Sequence, residues 1–149
     1  MKQLTISAIK EGTVIDHIPA SSVFKIAEIL KIKDAPNEAS IATNLPSKRL
    51  GRKGIIKISN LSLEQPAIDA IALLAEGATI SIIKNYEVDK KQNVKIPNSV
   101  SGIIKCFNPS CITNHEQSVT KFEVIDKKEL KLRCNYCEKI TTESTLRFL

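Results

Sequence analysis

Four cysteines near the C-terminal end constrain this chain more than any other feature. Cys106 and Cys111 form one close pair, Cys134 and Cys137 a second, and the chain has no others. Each short loop brings two sulfurs to neighbouring corners of a tetrahedron, the arrangement that four thiolates make around one structural zinc ion. Four thiolates fill every coordination position, so such an ion has no open site for catalysis. Two disulfides are the competing reading, and they need an oxidising compartment. The start, Met1-Lys2-Gln3-Leu4-Thr5, has neither the apolar stretch nor the cleavage site of a secretory leader. No apolar run approaches the ~18 residues of a membrane span. The expected compartment is the cytoplasm, where thiols stay reduced and open to metal.

The remaining apolar load is aliphatic. Hydrophobic residues make up 42% of the 149 and aromatics only 4%, which favours β-rich cores of Ile, Val and Leu. The formal charge of +6 suits a phosphate-bearing ligand or an acidic partner, and equally a solvated lysine-rich surface. No dense basic block marks a nucleic-acid tail.

Alternation of apolar and polar residues predicts a strand over Lys2–Ile9 and an extended piece over Thr13–Ile18, ended by Pro19. Ser21 or Ser22 can cap a helix reaching about Lys31, with Val23, Ile26, Ala27 and Leu30 on one face. Ser40–Leu45 and Ile55–Ile58 read as strands around a basic loop, Pro46–Gly54. Ser62 and Gln65 suggest a capping box for a second helix, with Pro66 in its first turn. Ile68, Ile71, Ala72 and Ala75 give that helix its core stripe, and Gly77 ends it. Ala78–Val88 reads as one long strand, and Asp89–Ser99 as a linker.

That order is the split βαβ pattern. The expected class is α+β. A ferredoxin-like domain, an antiparallel sheet with two helices, occupies residues 1–97, and a small all-β zinc-ribbon-like domain occupies 98–149. About 22 residues of β-hairpin separate the cysteine pairs. A unit that small usually needs its metal to fold.

Chemistry-bearing residues are few. No phosphate-cradling glycine loop, serine motif or paired carboxylates stand at a diagnostic spacing. His115 follows Cys111 and could be a further ligand, but with four thiols present it reads as a surface residue. Asp16 and His17 stand together at the end of a strand. Lys57 sits inside an otherwise apolar strand. A stand-alone zinc-ribbon protein binding nucleic acid is the alternative function. Phe107, Phe122, Tyr136 and Phe148 do not form the stripe that base stacking needs, so no nucleic-acid partner is expected.

Several ordered blocks together resemble one family. They are Gly12–Ala20 (GTVIDHIPA), Asn44-Leu45-Pro46-Ser47, Gly51-Arg52-Lys53, Ile56-Lys57-Ile58, Asn85-Tyr86-Glu87-Val88 and the cysteine cluster ending at Lys139. Over nearly the whole length the chain resembles the regulatory chain of aspartate carbamoyltransferase. The resemblance implies a non-catalytic allosteric subunit in pyrimidine biosynthesis, inhibited through CTP and UTP and activated through ATP. It also implies a regulatory-chain homodimer, a catalytic-chain partner, and three such dimers bridging two catalytic trimers.

Carried onto this sequence, the resemblance implies a nucleotide pocket of Ile6, Ala8, Ile9, Asp16, His17, Lys57, Ser81, Ile83, Tyr86, Val88 and Lys91. Asp16 would meet the ribose, Lys57 and Lys91 the phosphates, and backbone groups the base. Cys106, Cys111, Cys134 and Cys137 would hold zinc. Asn108, Ser110, Tyr136, Glu138 and Lys139 would face the catalytic chain. Gln3, Ser7, Ser81 and Ser110 depart from the residues familiar at those places in the family.

Overall fold

The alternating stretch after Gly12 forms the central strand of the first unit: β1 spans Gly12–Pro19 in a computed structural model that describes residues 8–149. Among the described residues, four more strands, β2 (Ala39–Ser47), β3 (Gly51–Ser59), β4 (Thr79–Lys84) and β5 (Glu87–Asn93), join it in an antiparallel sheet of order β2-β3-β1-β4-β5. Helices α1 (Val23–Ile29) and α2 (Gln65–Leu74) follow β1 and β3. With β5 set aside, this is the ferredoxin-like arrangement, with β1 between β3 and β4.

Helix and sheet meet through aliphatic side chains. Ile15, Ile18, Ile56, Ile58 and Ile80 share one core with Val23 and Ile26 of α1 and with Ile71 and Ala72 of α2. Each fully buried isoleucine contributes roughly 1.5–3 kcal/mol. Gly54 lets α1 sit this close. A Cβ there would overlap Val23 and come within 3.0 Å of the Ala42 carbonyl oxygen.

The long strand expected over Ala78–Val88 is two strands. Asn85 (φ 51°) and Tyr86 (φ 68°) are both left-handed, the backbone of a two-residue hairpin turn. The chain reverses there and β5 pairs with β4, Lys84 opposite Glu87. The start of the expected linker is therefore an edge strand. It shows no alternation because all seven of its residues are exposed.

The helix ends also differ from expectation. Ser22 precedes α1 but does not cap it; its hydroxyl donates to the Leu74 carbonyl at 3.0 Å, tying the start of α1 to the end of α2. Glu64, not Ser62, is the N-cap of α2, and the Gln65 side chain bonds Asp69 instead. The basic loop is shorter than expected, because Arg52, Lys53 and Gly54 belong to β3. Residues Lys2–Ser7 of the first expected strand, with Ile6, lie outside the described residues. Ala8 and Ile9 are irregular chain.

The second unit comprises Ile96–Leu149. Its strands β6 (Ser99–Ser101), β7 (Lys121–Asp126), β8 (Lys131–Cys134) and β9 (Ile140–Thr142) form an antiparallel sheet in that order. Phe122, Ile104, Leu132 and Thr141 are its largest fully buried side chains. The hairpin expected throughout the stretch between the cysteine pairs is confined to β7–β8, because a 3-10 turn, Ile112–Asn114, and irregular chain come first. A second 3-10 turn, Glu143–Thr145, follows β9. No helix among the described residues is long and apolar enough to cross a membrane.

Candidate functional site

The second unit brings the four cysteines together. Cys106 and Cys111 bound a four-residue loop, Cys134 ends β8, and Cys137 lies in the turn that follows. Sγ–Sγ distances are 3.6 Å for Cys106–Cys137 and 3.7 Å for Cys111–Cys134, and all four sulfurs lie within 4.8 Å of one another. A disulfide needs ~2.05 Å. A tetrahedral ion with metal–sulfur bonds of ~2.3 Å has S–S edges of ~3.8 Å, which these distances match.

Backbone amides complete the surroundings of the sulfurs. The N–H of Asn108 faces Cys106, those of Tyr136 and Cys137 face Cys134, and that of Lys139 faces Cys137. Burial pushes the Cys106 thiol up to about 12, with the neighbouring sulfurs adding to the effect. Burial raises Cys134 too. At Cys137 burial also acts upward, but the Lys139 amide and the Asn108 side chain outweigh it and bring that thiol to about 7. A bound divalent cation reverses this resistance, since it deprotonates a coordinating thiol outright. The donor set, its spacing and its aimed amides fit a structural metal ion.

Around the sulfurs lie the residues expected to face a partner. Ser110, Tyr136, Glu138 and Lys139 are exposed and Asn108 is half-buried. The Asn108 Oδ1 accepts from the Ser110 amide at 3.1 Å. The Tyr136 hydroxyl donates to the Val119 carbonyl at 2.9 Å. Val119, Phe107 and Ile112 are exposed apolar side chains in the same loops. Sequence reading weighed Phe107 only for base stacking and did not place Val119 or Ile112 at this surface, since only the fold shows which apolar residues stay uncovered.

In the first unit the face of the sheet away from the helices gathers several of the expected nucleotide residues. Strand register places Ser40, Lys57, Val14, Ser81 and Lys91 directly opposite one another across all five strands. Lys57 and Lys91 are three strand spacings apart in that row, roughly 14 Å at the backbone. Val14, between Lys57 and Ser81, was not singled out from the sequence, although its parity with Asp16 in an alternating strand could have found it.

Two residues along β1, Asp16 stands opposite Thr79. Here β1 and β3 slip register by one residue: Ile15 faces Ile56, yet Ile18 faces Gly54. His17 takes up the extra residue with φ 59°. This β-bulge re-aims the side chains around it. Asp16 Oδ1 accepts from the His17 amide at 2.5 Å and from Lys53 Nζ at 2.9 Å. Burial raises the Asp16 carboxyl, but the Lys53 ammonium and the His17 amide prevail and hold it below the ordinary carboxylate value. His17 Nδ1 lies 3.1 Å from Thr79 Oγ1, which in turn bonds Asn93 Oδ1 at 3.2 Å. Lys53, Thr79 and Asn93 left no signal in the sequence, because the bulge and the hairpin bring them here.

At the other end of β1, beyond Gly12, lies a cleft of about 490 Å³. Ala8, Ile9 and Tyr86 line it, together with Lys10, Asn37 and Ser59. Ile83 is opposite Gly12 and Val88 opposite Ile83, so both belong to that end of the sheet. The cleft, the lysine row and Asp16 thus follow one another along β1. Ile6 lies outside the described residues.

Two family models match the chain. Residues 4–95 match the aspartate carbamoyltransferase regulatory chain, allosteric domain, and residues 98–147 match the aspartate carbamoyltransferase regulatory chain, metal binding domain. The aspartate carbamoyltransferase regulatory chain of Pyrococcus abyssi is 48% identical over 148 residues, covering 98% of this chain and 97% of that one. That of Pyrococcus horikoshii is 49% identical with the same coverage. That of Porphyromonas gingivalis is 41% identical over 138 residues, 93% of this chain and 91% of its own length.

Proposed function

Because the chain belongs to the aspartate carbamoyltransferase regulatory chain family, we propose that it senses nucleoside triphosphates on the open sheet face and passes the effect to catalytic trimers docked on its metal unit. The family is that of a regulatory chain, so the chain is not itself the catalyst. The effectors are CTP and UTP as inhibitors and ATP as activator, in pyrimidine biosynthesis in the cytoplasm.

The observation that carries this reading is the sequence of features along β1. The cleft beside Ala8, Ile9 and Tyr86 takes the base, with backbone groups reading its edge. Asp16 takes the ribose: both of its hydrogen bonds fall on Oδ1, which leaves Oδ2 to accept from a hydroxyl. Lys57 and Lys91 meet the triphosphate as compact cations, with Ser81 between them and His17 beside Asp16. Ile83 and Val88 complete the wall.

The metal is zinc, held by Cys106, Cys111, Cys134 and Cys137. It is structural: it supplies cross-linking, and the chain's own loops then present Asn108, Ser110, Tyr136, Glu138 and Lys139 to the catalytic chain. Copies of the regulatory chain pair through their first units. The two sheet edges differ in a way that favours β2 for this. Strand β5 carries Glu87, Asp89, Lys90 and Lys91, charges that discourage edge pairing, whereas β2 has none and leaves Ile41 exposed.

Regulation of this kind requires that nucleotide bind one arrangement of the assembly better than the other. Couplings between such sites are typically ~1–3 kcal/mol. The test mixes the chain with its catalytic trimer and assays carbamoyl transfer with CTP, UTP and ATP. A complex whose activity responds to nucleotide is expected; absence of both complex and response would sink the reading.

A further inference from the structure

Two residues that follow the first cysteine pair do work that neither the metal nor the nucleotide reading uses. A metal held by Cys106 and Cys111 pins the two ends of the loop between them. It leaves the middle, Phe107–Ser110, to be fixed by something else. Asn114 Nδ2 donates to the Cys106 carbonyl at 3.0 Å and to the Asn108 carbonyl at 2.8 Å, so both amide hydrogens are spent on the loop. The Asn108 carbonyl also accepts from the Cys111 amide at 3.0 Å, which fills both of its lone pairs. His115 Nε2 lies 2.7 Å from the Pro109 carbonyl. A carbonyl can only accept, so this nitrogen carries the hydrogen. Both residues come straight off Cys111 through the 3-10 turn Ile112–Asn114, so the brace is joined by covalent bonds to a metal ligand.

We propose that Asn114 and His115 are positioning residues that set the middle of the Cys106–Cys111 loop in the shape that docks on the catalytic chain. The proposal rests on the docking reading above. The metal fixes the ends of the loop and this pair fixes its centre, holding the carbonyls of Cys106, Asn108 and Pro109 toward the residues that follow Cys111. Phe107, Pro109 and Ser110 are then displayed to the partner in one conformation instead of many. Binding by a loop shaped in advance avoids the ordering cost of shaping it on contact. His115 therefore acts through hydrogen bonding, and its engaged Nε2 is not a ligand atom.

The test uses the full chain loaded with zinc. Asn114→Asp keeps the shape and removes both donors; His115→Ala removes the other. Zinc content and affinity for the catalytic trimer are measured for each. Full zinc with roughly five- to tenfold weaker association is expected, and His115→Gln, which restores an N–H donor, should recover part of the loss. Unchanged association with zinc retained overturns the proposal, and so does loss of zinc, which would make the pair a support of the metal alone. If the unaltered chain fails to bind the trimer, the docking reading itself falls, an outcome separable from the other two.

Discussion

Lys53 and Asp16 meet at 2.9 Å across the place where β1 and β3 slip register by one residue. The ammonium and the His17 amide hold the Asp16 carboxyl below its ordinary value despite burial. A carboxyl depressed in the folded state contributes stability above its unfolded pKa, near 3.8, and that contribution is lost as pH falls through the folded value. Urea unfolding between pH 6 and about 3 should therefore show stability falling on acidification, and Asp16→Asn should remove part of that slope. Identical slopes in the two proteins would mean that Asp16 does not titrate as the pair requires.

Lys57 and Lys91 share one cross-strand row, and a triphosphate laid over it would meet both. Lys57→Ala and Lys91→Ala should each weaken CTP and ATP binding about tenfold and leave assembly with the catalytic chain intact. Calorimetry showing unchanged affinity in both variants would remove the nucleotide from this face.

The metal unit has few fully buried large side chains, among them Ile104, Phe122 and Leu132. A unit of this size depends on its ion to stay folded. Chelation, or Cys111→Ala, should unfold Ile96–Leu149 and abolish docking while the nucleotide unit keeps its own melting transition. Amide spectra of the chelated chain would show which resonances survive, and a metal-free second unit with native dispersion would contradict the prediction.

Gly54 sits where α1 presses on β3. Gly54→Ala should cost about 1–3 kcal/mol, because the added methyl meets Val23 on one side and the Ala42 carbonyl on the other. Denaturant midpoints compared at constant m-value provide the measurement, and a change near zero would mean that α1 can move away from the sheet.

Tyr86 is a left-handed tyrosine in a two-residue turn. Glycine suits that backbone better, so Tyr86→Gly should stabilise the unit by about 0.5–1 kcal/mol while weakening nucleotide binding at the cleft. Thermal melts and calorimetry on one preparation test both halves; a loss of stability would refute the account of the turn.

What could be read in advance depended on how local each signal was. The cysteine quartet was legible because each pair is set by a few residues of spacing. The α1 stripe of Val23 and Ile26 was legible because helical periodicity marks a buried face. The Asn85–Tyr86 turn was not: nothing in the pair announces two left-handed residues as Asn-Gly would, and Ile80, Ile82 and Tyr86, on one parity, suggest an unbroken strand. The wholly exposed β5 offered no alternation to correct this. Ser62 and Gln65 spelled a capping box, yet the helix begins after Glu64. Lys53 was invisible as a partner of Asp16 because only the bulge turns the two toward each other.

That bulge has a twin. In β2, Ala42 faces Ile55 while Leu45 faces Lys53, and Asn44 absorbs the extra residue at φ 60°, one residue nearer the start of β3 than the slip at His17 on its other side. Each flanking strand carries one residue more than β3 over the stretch Lys53–Ile56, much as an extra half-row ends at a dislocation in a crystal. Deleting His17 alone would give β1 regular alternation and keep Ile18 opposite Gly54, removing the bulge that turns Asp16 and Lys53 together. Deleting Asn44 alone would likewise regularise β2 and keep Leu45 opposite Lys53. The line on which Lys53 and Asp16 meet is therefore a matched fault, written twice in the sequence.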